Sequence, residues 1–554
     1  MFPAHLAQSF LPLTNPLGLG PADLIALALA ALLVAMALAW RPWLEPYAAR
    51  IAQRPLWCML LLAALPVALR LALLARHPVP VPDIYDEFSH LLVADTLRHF
   101  RLANPAHPMH RFFETFFVLQ EPTYSSIYPV GQGAALAFGW MVFGTPWAGV
   151  VLPVAALCAL CYWMLRGWTT AGWALAGGLL AVMEFGPLNQ WMNSYWGGAL
   201  PAAAGCLVFG ALPRLRRGGR LRDAVLLGAG LAIHLLARPY ESIFLLLCVV
   251  LYLLPAWRSM ARLVPVAAMV ALPAVGVTLL QNKQVAGSWT TLPYALSEYQ
   301  YGVPAALAFQ ANATPHRELT REQELDYKMQ LSFRGGRAET IGSYMLRLAY
   351  RIRYYRFFFM PPLYLALPFF FAALRDRRFV WAMVCPLIFA LGINFFPAFQ
   401  YHYMAGVTCL FVLIGVTALR QLSRFSDLAA RVLVLLCLAQ FGFEYGLQAF
   451  SGDPWSLELR NPERRVFVQK QLAQAPGKLL VFVRYWPAHI FQDEWVYNAA
   501  DVDGARVVWA RDLGPEENAK LRSYYPDRTV WLLEPDARPP RLTAYPAEGE
   551  LRSP

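Results

Sequence analysis

Pro82-Asp83-Ile84-Tyr85-Asp86-Glu87-Phe88-Ser89-His90 begins a few residues after the apolar run 56–75. The run is long enough to cross a bilayer, which takes about 20 mostly apolar residues. The stretch after it sets three carboxylates and a histidine where a hydrophobic helix would emerge into water. Each carboxylate costs roughly 2.5–3.5 kcal/mol at the centre of a membrane helix on insertion scales. Acidic residues this close to a membrane face therefore ask for an explanation, either a solvated loop start or a site.

The rest of the chain carries the same profile. Of 554 residues 58% are hydrophobic and only 15% charged, which fits a polytopic membrane protein and not a soluble one. The net charge of +12 is carried mainly by arginines clustered between apolar runs, as anionic headgroups and topology require. No nucleic-acid motif accompanies them, so no nucleic-acid partner is expected. All eight cysteines fall in apolar segments. Cys158 and Cys161 have redox spacing, but within a membrane helix packing is the expected role.

Twelve spans are predicted, at about 22–40, 56–75, 147–165, 171–188, 197–212, 224–237, 240–255, 263–281, 357–374, 379–396, 404–420 and 428–447. The first has no basic residue before it and reads as a retained helix rather than a cleaved signal. Basic clusters follow every odd span: Arg41, Arg50 and Arg54; Arg166; Arg214 to Arg222; Arg258 and Arg262; Arg375 to Arg378; Arg420 to Arg431. The positive-inside rule makes those sides cytoplasmic. The N-terminus, segments 76–146 and 282–356, and everything after about residue 448 are then expected outside.

Three regions follow: 1–55, an additional membrane helix and cytoplasmic loop; 56–447, a membrane module; and 455–554, a small α/β domain. Within the last, Leu479–Val483, Arg506–Ala510 and Thr529–Glu534 have strand length, and Pro515–Tyr525 reads as a helix. Gly131–Phe143 reads as a short interfacial helix. Asp501-Val502-Asp503, and the group His489, Asp493 and Glu494, are weak metal patterns that turn-forming or surface residues explain adequately.

The order Asp86-Glu87-Phe88-Ser89-His90, Ala94-Asp95-Thr96, Asn104-Pro105 and Tyr128-Pro129 resembles the first outside loop of GT-C glycosyltransferases that use lipid-phosphate sugars. These include protein O-mannosyltransferases and the aminoarabinose transferases acting on lipid A. His402-Tyr403 is similar to a pattern in related bacterial enzymes. The resemblance implies an α-helical GT-C membrane protein with a C-terminal α/β domain, catalysing inverting transfer from a polyprenyl-phosphate sugar to a hydroxyl. It implies Asp86 as catalytic base, with Glu87 beside it as a second acid or a ligand for acceptor hydroxyls. Two departures stand out. Span 22–40 is an addition, and the loop Gln190–Trp196 lacks the carboxylate relatives often carry, which puts metal binding in doubt.

Further substrate-binding candidates are Asp83, His90, Asp95 and Tyr128 in the first loop, and Arg238, Glu241, Lys283, Arg353, His402 and Tyr403 at outer helix ends. Arginine grips phosphate oxygens bidentately, so Arg238 could hold the leaving phosphate or pair with Glu241. Arg353 belongs to a run with Arg347, Arg351 and Arg356 that suits either headgroups or a substrate phosphate. The expected partners are a polyprenyl-phosphate sugar, a lipid, glycan or protein acceptor, and membrane lipids. No cofactor is supported, and a divalent metal stays open. The alternative function is a transporter or flippase of a lipid-linked sugar. The absence of a clear internal repeat, and the helix-end location of the acids, count against it.

Overall fold

In the computed structural model, residues 46–333 and 339–546 are described, with scattered positions between 28 and 38. The predicted span 22–40 therefore lies largely outside the described residues. The chain divides into two compact units. One comprises Met1–Pro80, Trp147–Val277 and Glu339–Leu459; the other comprises Val81–Pro146, Thr278–Ala338 and Arg460–Pro554.

The first unit is helical. Every predicted span from 56 onward coincides with a helical element. Among the described residues six helices are long and apolar enough to cross a membrane: Pro55–Ala75, Ala148–Leu165, Pro239–Ala256, Val264–Ala286, Tyr401–Ser423 and Asp427–Ala449. The protein is a multi-pass membrane protein. Span 357–374 departs from the expected α-helix and runs as 3₁₀ turns, Ile352–Phe358, Pro361–Leu365 and Leu367–Arg375. Pro361, Pro362 and Pro368 remove three amide donors there and break the α ladder.

The exit of the first span is pinned from within this unit. Arg70 is 1% exposed. Its guanidinium donates to Asn193 Oδ1 at 2.7 Å, and to the carbonyls of His77 and Pro78 at 3.0 and 2.9 Å. Tyr195 donates to the Pro80 carbonyl at 2.8 Å. The loop 190–196 thus uses Asn193 and Tyr195 to fix the chain just before Asp83.

Among its described residues the second unit holds two sheets. Asn104–Pro105 (β1), Val118–Leu119 (β2) and Thr123–Ser126 (β3) form a small antiparallel sheet in the order β1-β3-β2. Leu479–Val483 (β4), Val507–Arg511 (β5), Thr529–Glu534 (β6) and Arg541–Ala544 (β7) form a second sheet in the order β5-β4-β6-β7. β4 pairs in parallel with β5 and β6, and β7 is antiparallel to β6. The two-residue period of a strand sends alternate side chains to opposite faces. Leu479, Val481 and Val483 face the core built on Val468 and Leu472 of helix Glu463–Gln474. Leu480 and Phe482 face a core that includes Leu92, Phe112 and Phe113 of the first loop. The C-terminal sheet and the segment after the first span therefore share one hydrophobic core.

Candidate active site

Helix Tyr85–Arg98 starts where its own side chain caps it. Glu87 Oε2 accepts the backbone N–H groups of Asp83 and Ile84 at 3.0 and 3.1 Å. A carboxylate there also meets the positive end of the helix dipole. Glu87, expected beside Asp86 as a second acid, is built into the helix start.

Asp86 and His90 lie one turn apart and so share a helix face. They are 6% and 4% exposed. The Tyr128 hydroxyl donates to Asp86 Oδ1, and the Tyr128 ring stacks on His90, centroids 4.2 Å apart at 20°. Tyr128 is itself held: its N–H donates to Ser126 Oγ at 3.0 Å, and its carbonyl accepts from Gln281 Nε2 at 2.9 Å. The structure thus brings three sequence candidates together as a buried carboxylate, a phenol directed at it, and an imidazole backing the phenol.

The other acids of this loop have different surroundings. Asp83 faces Arg465 Nε at 3.6 Å. Burial pushes its pKa up to about 6 despite the opposing pull of Arg465. Asp95 accepts from Arg98 Nη1 at 3.0 Å and from the Ala500 N–H at 2.8 Å, so it ties the helix to the C-terminal domain. Arg465, whose guanidinium lies 4.6 Å from the Phe88 ring centre and 4.5 Å from that of Trp495, was not singled out by sequence reasoning. No local signal marks it, because Asp83 and Phe88, which it meets in the first loop, lie almost 400 residues away.

The remaining cationic candidates are distributed. Lys283 donates to the Gly287 carbonyl at 2.8 Å and caps its own helix. In the membrane unit Arg238 stands between helices Leu221–Ala237 and Pro239–Leu253, its guanidinium 5.8 Å from the Tyr403 ring centre. Among the described residues no ion pair within 4.0 Å joins it to Glu241, which is buried in the first turn that follows. His402 is buried with its ring edge-on to Trp196 and Tyr403, at 5.0 and 4.9 Å. Arg353 stacks on Tyr350 at 3.4 Å and donates to the Tyr354 hydroxyl at 3.0 Å. Its neighbours are structural: Arg347 pairs with Glu339 through two 3.1 Å bonds, and Arg351 donates to the carbonyls of Ile393, Phe396, Pro397 and Ala398.

The metal patterns of the C-terminal domain do not converge. Asp501 caps a turn through the Gly504 N–H at 3.0 Å, while Asp503 accepts from the Tyr525 hydroxyl at 2.5 Å. His489 pairs with Asp536, Asp493 with Arg464, and Glu494 with Arg511. Among the described residues no three His, Cys, Asp or Glu side chains gather as metal ligands.

No family model and no curated protein sequence matches the chain. Solved structures do. ArnT from Cupriavidus metallidurans in the apo state superposes with a TM-score of 0.50 at 13% identity, covering 86% of this chain and 92% of that one. ArnT from the same organism bound to undecaprenyl phosphate gives 0.49 at 13% identity, with the same coverages. The Archaeoglobus fulgidus oligosaccharyltransferase in the apo form gives 0.36 at 12% identity, over 87% of this chain and 69% of that one. The chain has the fold of the apo ArnT structure. Its helical membrane portion and small C-terminal sheet agree with the fold expected from the first loop.

Proposed function

We propose that this protein is an integral-membrane glycosyltransferase that moves a sugar from a polyprenyl-phosphate donor to a hydroxyl acceptor, on the outer face of a bacterial plasma membrane. The observation carrying this reading is Asp86: a carboxylate 6% exposed, oriented by the Tyr128 hydroxyl, in the segment that follows a membrane span. The GT-C fold and the order of motifs in the first loop support it.

In this reading Asp86 accepts the proton of the acceptor hydroxyl as that oxygen attacks the anomeric carbon. The bond from that carbon to the phosphate oxygen breaks, and the lipid phosphate leaves with the electron pair. One displacement inverts the anomeric centre. Tyr128 fixes the carboxylate's direction, and His90 fixes Tyr128 by stacking. Arg238 and His402 stand as separate lipid-phosphate candidates, carried by the sequence alone. Both termini lie on the outer side in this reading, following the arginine distribution.

A positioned general base contributes about 10²–10⁴-fold. Asp86→Asn is expected to lose sugar transfer by at least that lower factor while inserting into the membrane normally. Full transfer by that variant, or a cytosolic location of segment 76–146 by tag accessibility, refutes the assignment.

A further inference from the structure

A cavity of about 510 Å³ opens in the second unit, a size that suits a small ligand. Its base is the carboxyl end of two parallel strands, the side of an open α/β sheet on which ligands bind. Val483 ends β4, with Arg484 and Tyr485 after it, and Arg511 ends β5, with Asp512 and Leu513 after it. The first loop contributes His110, Arg111 and Glu114, and the segment 317–322 forms the remaining wall. Asp86, His90 and Tyr128 do not line it, so this cavity is separate from the site described above.

Its charges divide by exposure. In the buried set the carboxylates are engaged. Arg511 joins Glu322 and Glu494. Arg317 grips Glu114 through bonds of 2.8 and 2.6 Å and reaches Glu121 at 2.7 Å. Asp512 accepts from Arg484 Nε, from the Gly514 N–H at 3.2 Å and from Asn518 Nδ2 at 2.6 Å.

The more exposed arginines keep donors in hand. Among the described residues no hydrogen bond uses Arg484 Nη1 or Nη2, or Arg321 Nε or Nη1. Arg111 meets only Glu318, at 3.5 Å, and a pair as exposed as this one holds little. The spare capacity of the cavity is therefore mostly guanidinium N–H, whose fork fits the oxygens of a phosphate or a carboxylate. Leu319, Val483 and Leu513 are its aliphatic members, too few to bed an acyl chain. Thr320 Oγ1 accepts the Gln323 N–H at 3.2 Å, which leaves its own proton for a ligand oxygen.

We propose that this cavity is a second ligand site, for a saccharide that carries a phosphate or a carboxylate. The spare N–H groups of Arg484 and Arg321 hold the anion, Arg111 adds to the positive potential, and Thr320 and Glu318 meet sugar hydroxyls. The choice of a saccharide rests on the glycosyltransferase reading above; the anion site does not.

The test is calorimetric binding to the full chain in phosphatidylcholine nanodiscs at low salt. The probes are the phosphates and uronic acids of glucose, mannose and galactose, the three neutral sugars, and inorganic phosphate. The best anionic sugar should bind about tenfold or more tightly than its neutral parent and than inorganic phosphate. Arg484→Gln and Arg321→Gln should each lower its affinity about tenfold, the worth of one charged hydrogen bond, with the unfolding midpoint unchanged. Asp86→Asn should keep the wild-type affinity. Anionic sugars that bind no better than neutral ones, or that bind both arginine variants as they bind the wild type, overturn the site. Loss of binding in Asp86→Asn overturns it too, because the sugar then sits at Asp86. Inorganic phosphate binding as tightly as the best sugar phosphate overturns the saccharide. A wild type that binds as described yet transfers no sugar from polyprenyl phosphate overturns the glycosyltransferase reading and leaves the anion site standing.

Discussion

Replacing Tyr128 by phenylalanine removes one atom from the site and little else. The ring keeps its stack on His90, 4.2 Å between centroids, and the backbone bonds to Ser126 and Gln281 do not involve the hydroxyl. What is lost is the donor to Asp86 Oδ1. A hydrogen bond to an ionised group contributes about 1.5–3 kcal/mol. Each 1.36 kcal/mol on the barrier is a factor of about ten in rate. If the bond orients the base in the transition state, Tyr128→Phe should lower kcat by about 10- to 150-fold, with KM changed much less. Tyr128→Ala should fall further, because the stack on His90 goes as well. The assay is transfer of radiolabelled sugar from lipid phosphate in nanodiscs, with Asp86→Asn as the floor. A Tyr128→Phe enzyme with wild-type kcat would refute the role given to this hydroxyl.

Three other outcomes follow from the geometry. Burial pushes the Asp326 pKa from 3.8 up to about 7, so the stability it contributes is full below pH 4 and is lost as pH rises through 7. Asp326→Asn should therefore gain on the wild type between those limits, by at most about 4 kcal/mol, read as a pH-dependent difference in unfolding free energy; a constant difference contradicts it. Arg511 donates to Glu322 at 2.6 Å and to Glu494, all three side chains being less than a tenth exposed. Arg511→Met leaves two buried carboxylates unpaired and should cost about 3–5 kcal/mol, while wild-type denaturation midpoints would count against it. Arg238→Gln should weaken undecaprenyl phosphate binding by about tenfold or more, and unchanged affinity would remove Arg238 from the phosphate site.

The parts legible beforehand were those written in local pattern. Apolar runs marked the spans from 56 onward, and short apolar stretches marked strands 479–483 and 529–534 together with helix Pro515–Tyr524. β7 was missed because Arg541–Ala544 is mostly exposed and carries no apolar run. The 3₁₀ course after Ile352 was missed because hydropathy does not register which amides prolines remove. At the site, Asp86 stood out by residue type and spacing. That Glu87 caps the helix, and that Tyr128 rather than another acid meets Asp86, depends on contacts across up to 42 residues. Arg465 was invisible because Asp83 and Phe88, its partners in the first loop, lie at the other end of the chain.

The core shared by Phe112, Phe113 and Leu92 with Leu480, Phe482 and Val508 bears on how the molecule is made. The ribosome completes the Asp86 segment long before it reaches β4. Until then one flank of that segment has nothing to rest against, and the Asp95–Ala500 bond, spanning 405 residues, cannot close. A polypeptide released early would leave this core open on one side, with Leu92, Phe112 and Phe113 exposed where β4 and β5 should cover them.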